Sequence, residues 1–249
     1  MIELVFDGLF HFIRVCGDAS DGASVLEREG VVAAVAPAVP ERSVVNSVAY
    51  RRGDDLIAAY DDVAAAYAEI GAKWTVWVRP GDERVARFLE DRGHVDDAQP
   101  MAMARELAGV ERPPADALPD WTADGDLLVV GPLNDRAYGL DTDSFTRALR
   151  RLPEGVSHVY VASDEGEPVG CLVMTDHEGN SDVEMVAVVP EARGRGISGN
   201  LLRHALADAA ERRCRTSTLV ATKLGYPTYE RLGFEPLGQI SMWELSPGA

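Results

Sequence analysis

Residues Val183–Ala209 read VEMVAVVPEARGRGISGNLLRHALADA, an apolar strand, a Gly/Arg-rich turn and an amphipathic helix in direct succession. The period-2 strand and the 3.6-period helix must meet at a turn whose backbone only glycine adopts freely, so this block fixes local geometry tightly. Gly194 and Gly196 occupy the turn, with Arg193 and Arg195 interleaved. The helix places Leu201, Leu202, Ala205, Leu206 and Ala209 on one face, and Arg203, Asp208 and Glu211 on the other. A strand that ends in this way at a helix N-terminus aims several backbone N–H groups at one spot, which is how a phosphate is held without a metal. Taken alone, the block is equally an ordinary tight strand–helix turn.

Composition narrows the classes. The 249 residues suffice for two domains of ordinary size or one large one. A net charge of -17 argues against a nucleic-acid partner. It also repels anions at long range, so phosphate binding would rest on the local Arg193/Arg195 pair. Lysine occurs only at Lys73 and Lys223. Cys16, Cys171 and Cys214 are far apart and read as buried free thiols, and the histidines show no ligand spacing, so no metal is expected. No stretch approaches the ~20 apolar residues of a membrane span, and MIELVFDGLF lacks the basic start of a signal peptide. The expectation is a cytoplasmic protein with no membrane partner.

Glu111–Asp126, ERPPADALPDWTADGD, has no helical or alternating period and reads as a linker. It divides the chain into residues 1–110, a linker at 111–125, and residues 126–249. After it, Asp126–Val130 predicts a strand, and Thr142 or Asp143 caps a helix to about Leu152. His158–Ser163, Val169–Thr175 and Asp182–Val189 predict an antiparallel meander. The turn and its helix follow, then a strand at Ser217–Ala221, a short helix at Pro227–Leu232 and a final strand at Gln239–Leu245.

The first half reads as a worn copy of the second. Shifted by 140 positions, Phe88-Leu89-Glu90 faces Thr228-Tyr229-Glu230, Gly93 faces Gly233 and Gln99 faces Gln239. Leu56, Tyr60, Val63, Tyr67 and Ile70 recur at helical spacing, and Trp74–Val78 reads as the strand after them. Shifted by 141, Arg52-Gly53-Asp54-Asp55 stands where Arg193-Gly194-Arg195-Gly196 stands, so two carboxylates would face any bound pyrophosphate. The alternative is an unrelated α/β domain with a structural role.

A second block, GYPTYERLGFEPLG at Gly225–Gly238, follows the first. Together they resemble the GCN5-related N-acetyltransferase (GNAT) superfamily, whose acyl-CoA signature is Gln/Arg-x-x-Gly-x-Gly/Ala. Arg193, Gly196 and Ser198 fall on its fixed positions, Ser198 being a departure, and Tyr229–Phe234 matches the second landmark. The resemblance covers roughly Asp126–Leu245. It implies an α/β (α+β) fold with a mixed sheet splayed in the middle, here as two tandem GNAT-like domains. It also implies an acetyltransferase that passes an acetyl group from acetyl-CoA directly to an amine substrate, a primary amine of a small molecule or peptide.

In that family the backbone of Val186, Ala187 and Val188 would pair with the pantetheine arm, and Arg193, Gly194, Arg195, Gly196, Ile197, Ser198 and Gly199 would take the pyrophosphate. Tyr229 would protonate the leaving sulfur, with Tyr226 a nearby substitute; a core tyrosine is the alternative. Glu184, two residues before Val186 and so on its face of the strand, is the candidate base; a solvent-facing or Arg-paired glutamate is the alternative. His158 and His177 are more remote. Two other functions fit the same motifs: a non-catalytic acyl-CoA sensor, and a tandem acetyltransferase that makes a thiol metabolite, as mycothiol synthases do.

Overall fold

Two strands change places between the halves of this molecule. The computed structural model describes residues 1–114, 117–118, 120–140, 142–151 and 157–248. The first part runs α1 (Ile2–Asp18), β1 (Ser24–Arg28), β2 (Val31–Val35), β3 (Ser47–Tyr50), α2 (Gly53–Glu69), β4 (Trp74–Val78), α3 (Glu83–Glu90), β5 (Val95–Ala98) and β6 (Met101–Glu106). The second runs β7 (Trp121–Thr122), α4 (Val130–Ala137), α5 (Ser144–Ala148), β8 (Ser157–Asp164), β9 (Glu167–His177), β10 (Asn180–Val188), α6 (Ile197–Glu211), β11 (Thr216–Ala221), α7 (Tyr226–Arg231), β12 (Glu235–Gln239) and β13 (Ser241–Leu245).

One sheet has the order β1-β2-β3-β4-β13-β5, the other β12-β6-β11-β10-β9-β8-β7. Thus β6, from the first part, lies inside the second sheet between β11 and β12, and β13, from the second part, lies inside the first sheet between β4 and β5. The segment read as a linker joins β6 to β7, two strands of one sheet, so the sheets do not divide there. The two crossings touch: Ile240, fully buried between β12 and β13, donates its N–H to the carbonyl of Pro100 at 2.9 Å, between β5 and β6. Two pairs are parallel, β3 with β4 and β10 with β11. The 140-residue repeat holds as architecture, because α2-β4-α3-β5-β6 and α6-β11-α7-β12-β13 follow the same order.

Binary pattern explains the layers. On β2, Val31, Ala33 and Val35 pack with α2, while Val32 and Ala34 pack with α1 and the second sheet. Helix α1 buries Val5, Phe6, Leu9, Phe10 and Ile13 in the same core as β9 and α6, so it bridges the halves. Helix α2 buries Leu56, Tyr60, Val63 and Tyr67 as its spacing predicts.

One sequence expectation fails. Asp126–Val130 is not a strand: the Asp126 side chain accepts from the Leu128 N–H at 2.8 Å and caps a 3-10 turn, Leu127–Val129, that runs into α4. Pro132 falls in the first turn of α4, where it is tolerated. The predicted final strand at Gln239–Leu245 is β13, with Gln239 ending β12 in the other sheet. The predicted helix after Asp143 is α5; its expected end at Leu152 lies outside the described residues. The three cysteines are free and buried. No helix among the described residues is long and apolar enough to cross a membrane.

Candidate functional site

Strand β10 builds the site by leaving its neighbour. It pairs with β11 only from Asn180–Thr216 to Val183–Leu219, and beyond that its β11-facing edge is unpaired. On the other side its register with β9 slips between Glu184 and Ala187, at a bulge where Met185 takes φ 49°. The bulge bends β10 away from β11. It also interrupts the alternation from which the sequence places Glu184, Val186 and Val188 on one face. Asp182 to Val188, Arg193, Gly194, Ser198, Thr228 and Tyr229 all line one cavity of about 610 Å³ in the resulting cleft.

At its end β10 enters a 3-10 turn, Pro190–Ala192, and then the glycine loop. Gly194 (φ 77°) and Gly196 (φ 74°) are both left-handed, and a Cβ at Gly194 would touch nothing within 4 Å. Helix α6 starts at Ile197 with no side-chain cap, which leaves the first-turn N–H groups, Ile197 to Gly199, without intrahelical partners. Its predicted apolar face is buried throughout, from Leu201 to Ala209.

The arginines of the motif are engaged elsewhere. Arg193 donates through Nε to the Val188 carbonyl at 3.2 Å and through Nη2 to the Ala137 carbonyl, tying the loop to β10 and α4. Arg195 pairs with Asp164 at 2.6 Å and lowers the pKa of that carboxyl. The cations that face the loop's outer side are Arg203 of α6 and Arg231 of α7. They line an adjoining cavity of about 420 Å³ with Gly194, Gly196 and Ser198, and no carboxylate lines it. The sequence reading missed both; their signal was position, one on each helix flanking the loop.

Tyr229 lies against the core, its ring edge-on to Phe234 with centroids 6.1 Å apart. Gly225 makes room for it, because a Cβ there would lie 2.8 Å from the ring. Burial, with Tyr138 close by, raises the pKa of its hydroxyl, which has no hydrogen-bond partner among the described residues. Tyr226 turns instead toward Glu230, its hydroxyl donating at 3.4 Å. His158 sits 3.6 Å from Asp176 and His177 stacks on His11, and neither lines the cavity.

Glu184 does line the cavity, and so does Asp182, which the sequence reading passed over although DVE places both on one face of a strand. Asp182 accepts from Thr218 Oγ1 at 2.5 Å. Burial pushes its carboxyl up to about 7. Burial and the Asp182 carboxylate raise Glu184 well above the usual range. Helix α1 covers the pair: a Cβ on Gly8 would lie 2.5 Å from the Asp182 carboxylate. Among the described residues no group of three or more His, Cys, Asp or Glu side chains is placed to hold a metal.

The matching place in the first half is closed. There β3 and β4 pair in parallel at Ser47–Thr75 and Val48–Val76. Past that point the buried Tyr50 fills the gap, its hydroxyl donating to Asp82 at 2.9 Å and accepting from the Arg79 N–H at 3.2 Å. Asp55 is held by Arg52 at 2.7 Å across the start of α2.

The comparisons with known proteins agree with this geometry. Residues 155–236 match the family model "Acetyltransferase (GNAT) domain". No curated protein matches the chain in sequence. Among solved structures, a GCN5-related N-acetyltransferase from Kribbella flavida is similar with a TM-score of 0.66 at 17% identity, covering 100% of this chain and 96% of that one. One from Sphaerobacter thermophilus gives 0.59 at 20%, covering 96% and 91%. A tandem GNAT protein from the clavulanic acid biosynthesis pathway gives 0.55 at 15%, covering 99% and 96%. These likenesses span both halves and show the fold, which is the mixed α/β GNAT fold in tandem. Residues 155–236, which carry the cleft, are thus similar to a GNAT acetyltransferase domain, and the chain as a whole shares the fold of these solved structures.

Proposed function

We propose that the C-terminal cleft is an acetyl-CoA-dependent N-acetyltransferase site that passes the acetyl group directly to a primary amine of a small molecule or peptide. One observation carries the reading: the unpaired stretch of β10, Ser198 at the uncapped start of α6 and Tyr229 all line a single cleft. The residues fit the cosubstrate. The free backbone of Val186–Val188 suits the pantetheine amides, the Gly194–Gly199 amides the pyrophosphate, and Arg203 and Arg231 the remaining phosphate charge. Arg193 keeps the loop in place rather than meeting the phosphates itself. Bound there, acetyl-CoA supplies a thioester carbonyl as electrophile and a thiolate as leaving group.

The Asp182–Glu184 pair is the proton acceptor. Buried at β10 with elevated pKa values, it takes a proton from the incoming ammonium and leaves a neutral amine to form the C–N bond. Tyr229 gives its proton to the departing sulfur as the C–S bond breaks, and the second proton lost by nitrogen restores it. The products are amide, thiol and one proton released from the pair. The first half binds no acetyl-CoA, because Tyr50 and the Arg52–Asp55 pair occupy the corresponding gap.

Calorimetric titration of acetyl-CoA into the full chain tests the reading. One site per chain, followed by thiol release with an amine panel, supports it. Two sites would overturn the closed first half; binding without turnover of any amine would leave a sensor; no binding would remove the reading altogether.

A further inference from the structure

Part of the cleft's lining comes from the first half. Leu9 and Phe12 of α1, Val44 after β2 and Trp77 of β4 line it, with Phe145 of α5 beside them. Asp182 and Glu184 line the same cavity. Asp182 is 8% exposed, and Thr218 is its one hydrogen-bond donor among the described side chains. Glu184 Oε1 is buried with no partner. Neither carboxyl is in an ion pair among the described residues. Trp77, 6% exposed, has the opposite deficiency: its Nε1–H is buried and finds no acceptor.

Buried donors and acceptors are normally paired within the protein. Here Glu184, with an unpartnered Oε1, and Trp77, with an unpartnered Nε1–H, line the same cavity, together with apolar side chains. A ligand suited to this lining has a cationic end for the carboxyls and an apolar body, and an uncharged oxygen on that body would also accept the Trp77 N–H. A ligand carboxylate would add a third negative group to two that already resist ionisation together. The cavity must also admit the pantetheine arm, which leaves room for a small acceptor only.

We infer that the acceptor is a small primary amine on an uncharged, largely apolar stem, seated between the two halves with its nitrogen at Asp182 and Glu184 and its stem against Phe12, Trp77 and Phe145. This rests on the acetyl-transfer reading of the same cleft. The first half is thereby a specificity element: it lost a cofactor cleft and became the acceptor wall.

The test uses the full chain. At saturating acetyl-CoA, thiol release is measured with 2-phenylethylamine and hexylamine against glycine, glutamate and the free N-terminus of a Ser-Gly-Gly-Gly peptide. The two apolar amines are expected to exceed the others in kcat/KM by about a hundredfold. Phe12→Ala, at a half-buried position the fold tolerates, raises the KM for 2-phenylethylamine about tenfold and leaves acetyl-CoA affinity unchanged. Asp182→Asn raises the KM of both apolar amines about tenfold. Equal or faster turnover of glutamate or the peptide, or an unmoved KM in Phe12→Ala, overturns the inference. If calorimetry shows no acetyl-CoA binding, the donor reading fails by itself. The pocket is then judged by titrating 2-phenylethylamine alone: heat in the parent that weakens in Phe12→Ala upholds it, and no heat in the parent overturns it.

Discussion

Tyr229 carries a phenol that arrives with its proton in place, the form in which we propose that it meets the departing sulfur. Burial and the nearby Tyr138 raise its pKa. We predict that Tyr229→Phe lowers kcat about a hundredfold while acetyl-CoA affinity and Tm stay at parent values. Gly225→Ala keeps the hydroxyl but places a methyl group 2.8 Å from the ring, so it should lower kcat in the same direction. Parent rates in both variants would return Tyr229 to the core. At this scale the sequence was partly legible. Tyr229 and Glu184 stood out from their motifs. Asp182 did not, because its importance comes from α1 lying over it, a contact made by Gly8 from far earlier in the chain. Arg193 and Arg195 were legible as cations but not as occupied ones, since the Ala137 carbonyl and Asp164 that hold them come from distant segments.

The glycine loop and α6 form the element that local sequence specifies most fully: two left-handed glycines, then a helix whose apolar face is fixed by spacing. Gly196→Asp should abolish acetyl-CoA binding in calorimetry, because it puts a carboxylate beside the pyrophosphate amides. Gly196→Ala shares the strain of φ 74° without the charge, about 1–2 kcal/mol, and should still bind. One apolar run was the misleading element. Asp126–Val130 looks like a strand, yet one side-chain cap at Asp126 turns it helical.

The exchanged strand β13 has its own anchor. The Trp243 carbonyl meets His94 Nδ1 at 3.1 Å, and Tyr60 OH meets His94 Nε2 at 3.0 Å. Burial lowers His94 from 6.5 to about 4. A depressed histidine stabilises the fold above its unfolded value and loses that contribution as pH falls through the folded one. The Tm advantage of the parent over His94→Gln should therefore be full above pH 6.5 and shrink towards pH 4. A difference that is constant over that range would detach His94 from this linkage.

Over the whole molecule, the reciprocal exchange of β6 and β13 makes the two sheets one cooperative structure. The order of elements was visible in the 140-residue repeat, but not the exchange, because strand period says which face is buried and nothing about which sheet receives it. We predict that residues 1–110 and 111–249, expressed apart, do not fold, each sheet having lost an interior strand. Mixed during refolding, they should recover the parent far-UV spectrum. Two separately folded fragments would contradict the exchange. The full chain should melt in one transition, by calorimetry and by tryptophan fluorescence alike. The exchange also sets an order of events at the ribosome. The first half emerges with β4 and β5 waiting for a strand that is still unmade, and at ordinary rates of synthesis the wait is on the order of ten seconds. Throughout it the Trp-Thr-Val-Trp-Val edge of β4 has no neighbour on one side, the kind of edge that recruits other nascent chains. Yield in a cell should therefore follow how quickly translation reaches Leu245.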